Sequence, residues 1–314
     1  MGPGMDFQTA LEAGDIPAIR QVPKADLHNH FVGGGDRDYI FEKTGRRIAP
    51  LERKLASMAD MHAWFDGATE GLFANRDGRL IAFEAALIQA RRDGVTRLEI
   101  GDDVWAITLN DFSAEALVGA LTAAHQRIAP EIEWIAQLGF SRHCPVFAIE
   151  RWLQPFLDLG FGQSVDLSGD EFAQPIEAFT PVYKRVKAAG LRLKAHVGEW
   201  GTADDVWRAV ELLELDEVQH GIAAASSPQV MRFLADNRIR LNVCPTSNVM
   251  LGRVDDLASH PIRVLYDAGV RVTVNTDDVL IFGQSLSEEF LNLHRAGVFD
   301  AAELDEIRLN GLTD

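Results

Sequence analysis

The stretch Leu193-Lys194-Ala195-His196-Val197-Gly198-Glu199 ends an apolar run in a histidine and sets a glutamate three residues further on. Histidine is a common metal ligand, and the intervening glycine lets the chain leave a strand sharply, so that the glutamate can face the same ion. A metal-activated water and a carboxyl group that moves its protons could then come from one turn. A second pair, in Ala25-Asp26-Leu27-His28-Asn29-His30-Phe31, reads as a strand running into Gly33-Gly34-Gly35. Residues two apart on a strand share a face, so His28 and His30 can reach one ion from one wall. Taken alone, the first segment equally fits a surface turn and the second a pair of unrelated loop-edge histidines.

The elements that must position these residues follow a rhythm. Short apolar strands are expected at Thr96–Gly101, Glu133–Phe140, Gln163–Ser168, Leu191–Val197, Val218–Ile222, Arg240–Pro245 and Arg271–Thr276. With the His28/His30 strand they number eight. Helical runs lie between most of them, including Ala114–Ala129, Ala203–Leu213, Pro228–Asn237 and Ile262–Ala268. No glycine-rich phosphate fingerprint follows the first strand, so the pattern predicts an α/β protein, a single-domain (β/α)8 TIM barrel, rather than an open dinucleotide-binding sheet. Residues 50–92 form a helical segment after the first strand, with an apolar set at Met58, Met61, Trp64, Phe65, Leu72 and Phe73. It reads as a lid over the barrel mouth or as ordinary helix core.

Composition bounds the function. At 314 residues and 47% hydrophobic, the chain can bury one large core, and a barrel of this kind occupies about 250 residues. Thirty Lys+Arg against 47 Asp+Glu give a net charge of −17, which repels nucleic acid and anionic membrane alike. No stretch is apolar enough for a membrane span, and no signal peptide is recognisable. Cys144 and Cys244 lie far apart and read as buried thiols in a reducing compartment, so a cytoplasmic protein is expected. Met1-Gly2-Pro3-Gly4 reads as an expression-vector remnant before a start at Met5, leaving residues 5–314 for the barrel. The oligomeric state is left open.

The rare polar residues fall at the strand ends: His28 and His30, Gly169-Asp170-Glu171, His196 with Glu199, His220, and Asp277-Asp278. In a barrel these ends meet at the face that carries the active site. His28, His30, His196 and Asp277 then make a site for one divalent ion, with zinc favoured by imidazole-rich ligation. Such an ion lowers the pKa of water from 15.7 toward about 7. The nucleophile would be water, since no Gly-x-Ser-x-Gly elbow or suitably flanked cysteine competes.

The sequence resembles the adenosine deaminase group of the amidohydrolase superfamily. The resemblance rests on Pro23-Lys24-Ala25-Asp26-Leu27-His28-Asn29-His30, Val165-Asp166-Leu167-Ser168-Gly169-Asp170-Glu171 and His196-Val197-Gly198-Glu199. It continues in Gln219-His220-Gly221, Cys244-Pro245-Thr246-Ser247-Asn248 and Asn275-Thr276-Asp277-Asp278, in the family's order. It implies that His28, His30, His196 and Asp277 bind the metal and that Glu199 protonates ring nitrogen N1. It further implies that His220 orients the water and helps deprotonate it, and that Gly169 and Asp278 hold the purine through N3 and N7. Glu199 must then be protonated and Asp277 ionised.

Three departures from the family pattern stand out. Val32 occupies the place of an acidic residue that binds a ribose hydroxyl, and the glycines after it are expected to add room there. Gly101-Asp102-Asp103 replaces an arginine and an aromatic residue, making the mouth more acidic. Lys194 points to the same face as His196 and calls for a buried partner, Glu99 or Asp166, in a structural ion pair rather than as a carbamylated metal bridge. The expected function is zinc-dependent hydrolytic deamination of an adenine-like nucleoside or base, with a small-molecule substrate and neither nucleic acid nor membrane as partner. The alternatives are a deaminase of free adenine, a modified adenosine or an aminopterin, and a catalytically idle purine- or metal-binding barrel.

Overall fold

In a computed structural model, residues 6–314 are described, and the Met1–Met5 stretch lies outside them. Eight parallel strands run in sequence order, β1 (Lys24–Asp26), β2 (Val95–Ile100), β3 (Glu133–Ser141), β4 (Ser164–Ser168), β5 (Arg192–Val197), β6 (Glu217–His220), β7 (Arg240–Val243) and β8 (Val272–Val274). With helices around them they form a nearly closed (β/α)8 barrel. The expected strands all occur, in the expected order, with ends shifted by a few residues. β1 is the exception, stopping at Asp26 ahead of both histidines.

Parallel strands buried on both sides lack the usual polar face, yet here alternation persists. Val165 and Leu167, Leu193 and Ala195, Leu241 and Val243 pack outward into the core shared with the helices. The residues between them, Asp166, Lys194 and Asn242, turn inward and bond there to His196, to Leu27 O and to Glu217 respectively. Period-two alternation therefore separates a polar interior from an apolar outer layer.

The helices are stopped by local chemistry. Asp6 caps Phe7–Ala13 by accepting the Thr9 N–H at 2.8 Å, and Gly14 ends it with φ 66°. Ala203–Leu213 starts with a reciprocal capping box between Thr202 and Asp205, an arrangement that satisfies two otherwise orphaned donors. Within 50–92, Arg76–Arg92 buries Ala82, Phe83, Ala86 and Leu87 as one of the barrel's own helices. Only the helix Met58–Thr69 reaches the mouth, where Met58, Met61, His62 and Phe65 line a cavity. No helix among the described residues is long and apolar enough to cross a membrane.

Closure of the ring is irregular. β8 and β1 share no ladder, and the seam is held just past their ends by a bridge between Asn29 and Asp277. His30 N donates to Asp277 O at 3.0 Å and Asp277 N to His28 O at 2.9 Å. Side chains complete it, with Leu27 N donating to Asn275 Oδ1 at 2.8 Å and Thr276 Oγ1 to Asp26 Oδ2 at 2.5 Å.

Candidate active site

The C-terminal ends of the strands enclose a cavity of about 260 Å³. His30, Gly169, His196, Glu199, His220, Asp277 and Asp278 line it, and His28 lies buried behind them, 1% exposed. All eight residues expected from the sequence are therefore brought to one place.

Three imidazole nitrogens converge. Nε2 of His196 lies 3.0 Å from Nε2 of His28 and 3.1 Å from Nε2 of His30. Asp277 Oδ1 is 3.6 Å from the first of these partners and 3.3 Å from the second. The far side of two rings is fixed. His28 Nδ1 is 3.0 Å from the carbonyl of Asn242, and His196 Nδ1 is 3.1 Å from Asp166 Oδ2. Carbonyl and carboxylate only accept, so each Nδ1 bears the proton and each Nε2 turns a lone pair toward the other. Lone pairs 3.0 Å apart repel unless a cation lies between them, and backing of this kind is what orients metal-binding histidines. The donor set fits one divalent ion held by His28, His30, His196 and Asp277.

The carboxyl groups divide by environment. Burial, with Asp277 and Glu171 nearby, pushes Glu199 well above the usual carboxylate range. Its side chain is 7% exposed and its Oε1 has no partner among the described residues. Burial and the adjacent Asp277 charge push Asp278 well up too. Asp277 goes the other way: burial opposes ionisation, but the surrounding imidazoles and the Ser247 hydroxyl, donating at 2.6 Å, hold it low. Neighbouring carboxyls driven apart in this manner separate proton donors from acceptors.

Backbone strain is present at the same place, since His220 (φ 62°) and Asp277 (φ 60°) both adopt the left-handed region without being glycine. Glu171 was expected at the end of the fourth strand, but without a role. Its carboxylate accepts the N–H groups of Gly198, Glu199 and Trp200 at 2.9, 2.8 and 2.8 Å, clamping the turn that carries Glu199. The only hint in the sequence was an acidic residue two places after Gly169.

Two expectations need correction. A Cβ on Gly33 would lie 1.9 Å from Asp278 Oδ1, and one on Gly34 2.0 Å from Asn29 Oδ1, so the glycine run admits close neighbours rather than adding room. Asp102 does not acidify the mouth, because Arg79 Nε donates to its two oxygens at 3.0 and 2.9 Å; Asp103 alone lines the cavity. Lys194 does find the expected Glu99, at 3.1 Å, while Asp166 serves His196 instead.

The comparisons with known proteins point to one family. The family model described as adenosine deaminase matches residues 23–314. A Treponema pallidum (strain Nichols) protein named for adenosine and adenine deamination is 35% identical over 279 residues, 89% of this chain and 93% of that one. An adenine deaminase of Trichlorobacter lovleyi is 33% identical over 294 residues, 88% of this chain and 82% of its own. The solved adenine deaminase of Arthrobacter aurescens superposes with a TM-score of 0.79 at 26% identity, covering 92% of each chain. The chain thus belongs to the adenosine deaminase family of the amidohydrolase superfamily.

Proposed function

We propose that the protein hydrolytically deaminates an adenine-like ring, releasing ammonia, and that it does so with one zinc ion held by His28, His30, His196 and Asp277. The observation that carries the reading is Glu199, a buried carboxyl with one oxygen lacking a partner among the described residues, which lines the cavity at which three imidazole nitrogens converge. When bound, the ion supplies Lewis acidity that makes water a competent nucleophile near neutral pH.

The chain's own residues do the rest. Glu199 gives its proton to the ring nitrogen beside the carbon that bears the amine, which makes that carbon electrophilic. Asp277, ionised, takes a proton from the attacking water, and His220 orients that water. The water oxygen becomes the ring carbonyl; of the water's two protons, one leaves with the ammonia and one restores Glu199. Gly169 (φ 96°) allows the backbone to approach the ring edge at N3, and the protonated Asp278 donates to N7. The helix Met58–Thr69 covers the ring once bound.

Val32 puts an apolar side chain in the cavity wall where an acidic residue would bind a ribose hydroxyl. Adenosine should therefore be no better a substrate than adenine, in keeping with the names of the relatives. The test is ammonia release by metal-replete protein across adenine, adenosine, 5′-modified adenosines, adenosine monophosphate, aminopterins and aminopyrimidines, together with elemental analysis. Release from no amino-heterocycle while zinc is bound would make the barrel an idle binder. Adenosine ahead by more than about tenfold, roughly 1.4 kcal/mol, would overturn the ribose argument.

A further inference from the structure

The contacts behind His220 determine which of its ring nitrogens carries the proton. They begin at a group that can only donate, the backbone N–H of Ile262, which lies 3.0 Å from Nδ1 of His260. His260 is 2% exposed, and burial pushes its pKa down to about 3. The ring is neutral, and with Nδ1 accepting, its one proton is on Nε2. That N–H donates to Oδ1 of Asn248 at 3.2 Å.

The other end of the Asn248 amide is then its NH2, a donor only, and it lies 3.1 Å from Nδ1 of His220. Asn248 is 0% exposed, and turning its amide over would set the NH2, a donor, against the Nε2–H of His260, also a donor. Nδ1 of His220 must accept, so a neutral His220 bears its proton on Nε2. That nitrogen faces Glu199 Oε2 at 3.6 Å and Asp277 Oδ2 at 3.7 Å.

We propose that Asn248 and His260 are positioning residues that hold His220 as the Nε2–H tautomer, so that His220 donates a hydrogen bond in the reaction centre instead of taking the water's proton. This rests on the place given to His220 in the proposed reaction, and it makes His220 a donor where the family resemblance implied a share in deprotonating the water. A ring nitrogen that already bears a proton has no lone pair for another. Deprotonation of the water is left to a carboxylate, while the Nε2–H is aimed where negative charge develops on oxygen.

The test is long-range 1H–15N correlation on the full chain, labelled in histidine and loaded with zinc, with the His220 signal assigned by its loss in His220→Gln. The parent should show His220 protonated on Nε2 and bare at Nδ1. In Asn248→Asp the carboxylate can only accept, so the proton should move to Nδ1, and kcat should fall about tenfold or more with KM within about twofold. His260→Leu, which frees the amide to turn, should mix the tautomers. His260→Gln, which restores an N–H donor to Asn248, should recover the parent pattern and most of kcat. A parent His220 protonated on Nδ1 overturns the proposal without any variant, as does Asn248→Asp with tautomer and kcat unchanged. The tautomer is read without substrate, so it can fail while ammonia release stands, and the reverse.

Discussion

Two clusters of buried charge share the barrel interior and are built on opposite principles. Lys194 and His196 lie two residues apart on the same face of β5. Around Lys194 cation meets carboxylate: its Nζ donates to Leu27 O at 2.7 Å and lies 3.1 Å from Glu99 and 3.7 Å from Glu217. Glu217 also accepts from Arg240 at 2.5 Å and Asn242 at 2.7 Å, and despite its burial Lys194 and Arg240 hold it down to about 2. Around His196 like faces like, lone pair against lone pair, and Glu199 is pushed up rather than down. Mutual neutralisation marks the first cluster as scaffold. Residual imbalance fits the second to the cation and substrate proposed for it.

Removing the acid from the unbalanced cluster should produce the largest effect. Glu199→Gln keeps the shape and cannot deliver a proton, so kcat should drop about 10²–10⁴-fold. Zinc content should be retained and the melting temperature unchanged or raised. Turnover within a few-fold of the parent would show that Glu199 is not the acid.

The balanced cluster should answer in stability instead. Lys194→Met leaves Glu99 and Glu217 buried with less compensating charge, which should cost about 3–5 kcal/mol in denaturant unfolding. Adding Glu99→Gln should recover a good part of that loss. If the single variant unfolds like the parent, the interior charges are not coupled as described.

A buried carboxyl outside both clusters sharpens the contrast. Glu289 accepts from Gln284 at 2.5 Å and Thr246 N at 3.2 Å, has no cation, and is pushed by burial to about 8. The folded state binds its proton more tightly than the unfolded chain, whose glutamate titrates near 4.5. Its contribution to stability is therefore complete below that value and is lost as the pH rises through about 8. Asp26, raised to about 6 by burial, acts in the same direction over a lower range. Thermal melts from pH 5 to about 9 should fall less steeply in Glu289→Gln than in the parent; equal slopes would remove Glu289 from the account.

The smallest expected effect concerns selectivity. Val32→Asp should raise kcat/KM for adenosine relative to adenine by about tenfold, roughly 1.4 kcal/mol, the order of one hydrogen bond to a charged group. An unchanged ratio would place the sugar away from Val32.

What could be read from the sequence was whatever depends on near neighbours. Period-two alternation placed β5, and His28, His30 and His196 followed from their positions on or just beyond strands that a barrel must gather. What escaped depends on residues far apart in the chain. Arg79 silences Asp102 from another element, Glu171 reaches across to the β5 turn, and Asp278 fills the space that Gly33 leaves. The early end of β1 escaped for the same reason, because Leu27 is held by a side chain of Asn275, 248 residues away, instead of by a ladder.

That seam ties the order of synthesis to the assembly of the site. His28 and His30 emerge early, yet the segment that must pair with them, carrying Asp277, comes nearly last. A growing chain can stack β1 through β7 while its proposed ligand set is still one member short. An ion with access to all four donors reports a ring that has closed, and its release should loosen first the stretch where the two ends of the barrel meet. Amide exchange at His28, His30 and Asp277 would then rise on chelation before that of β4 or β5.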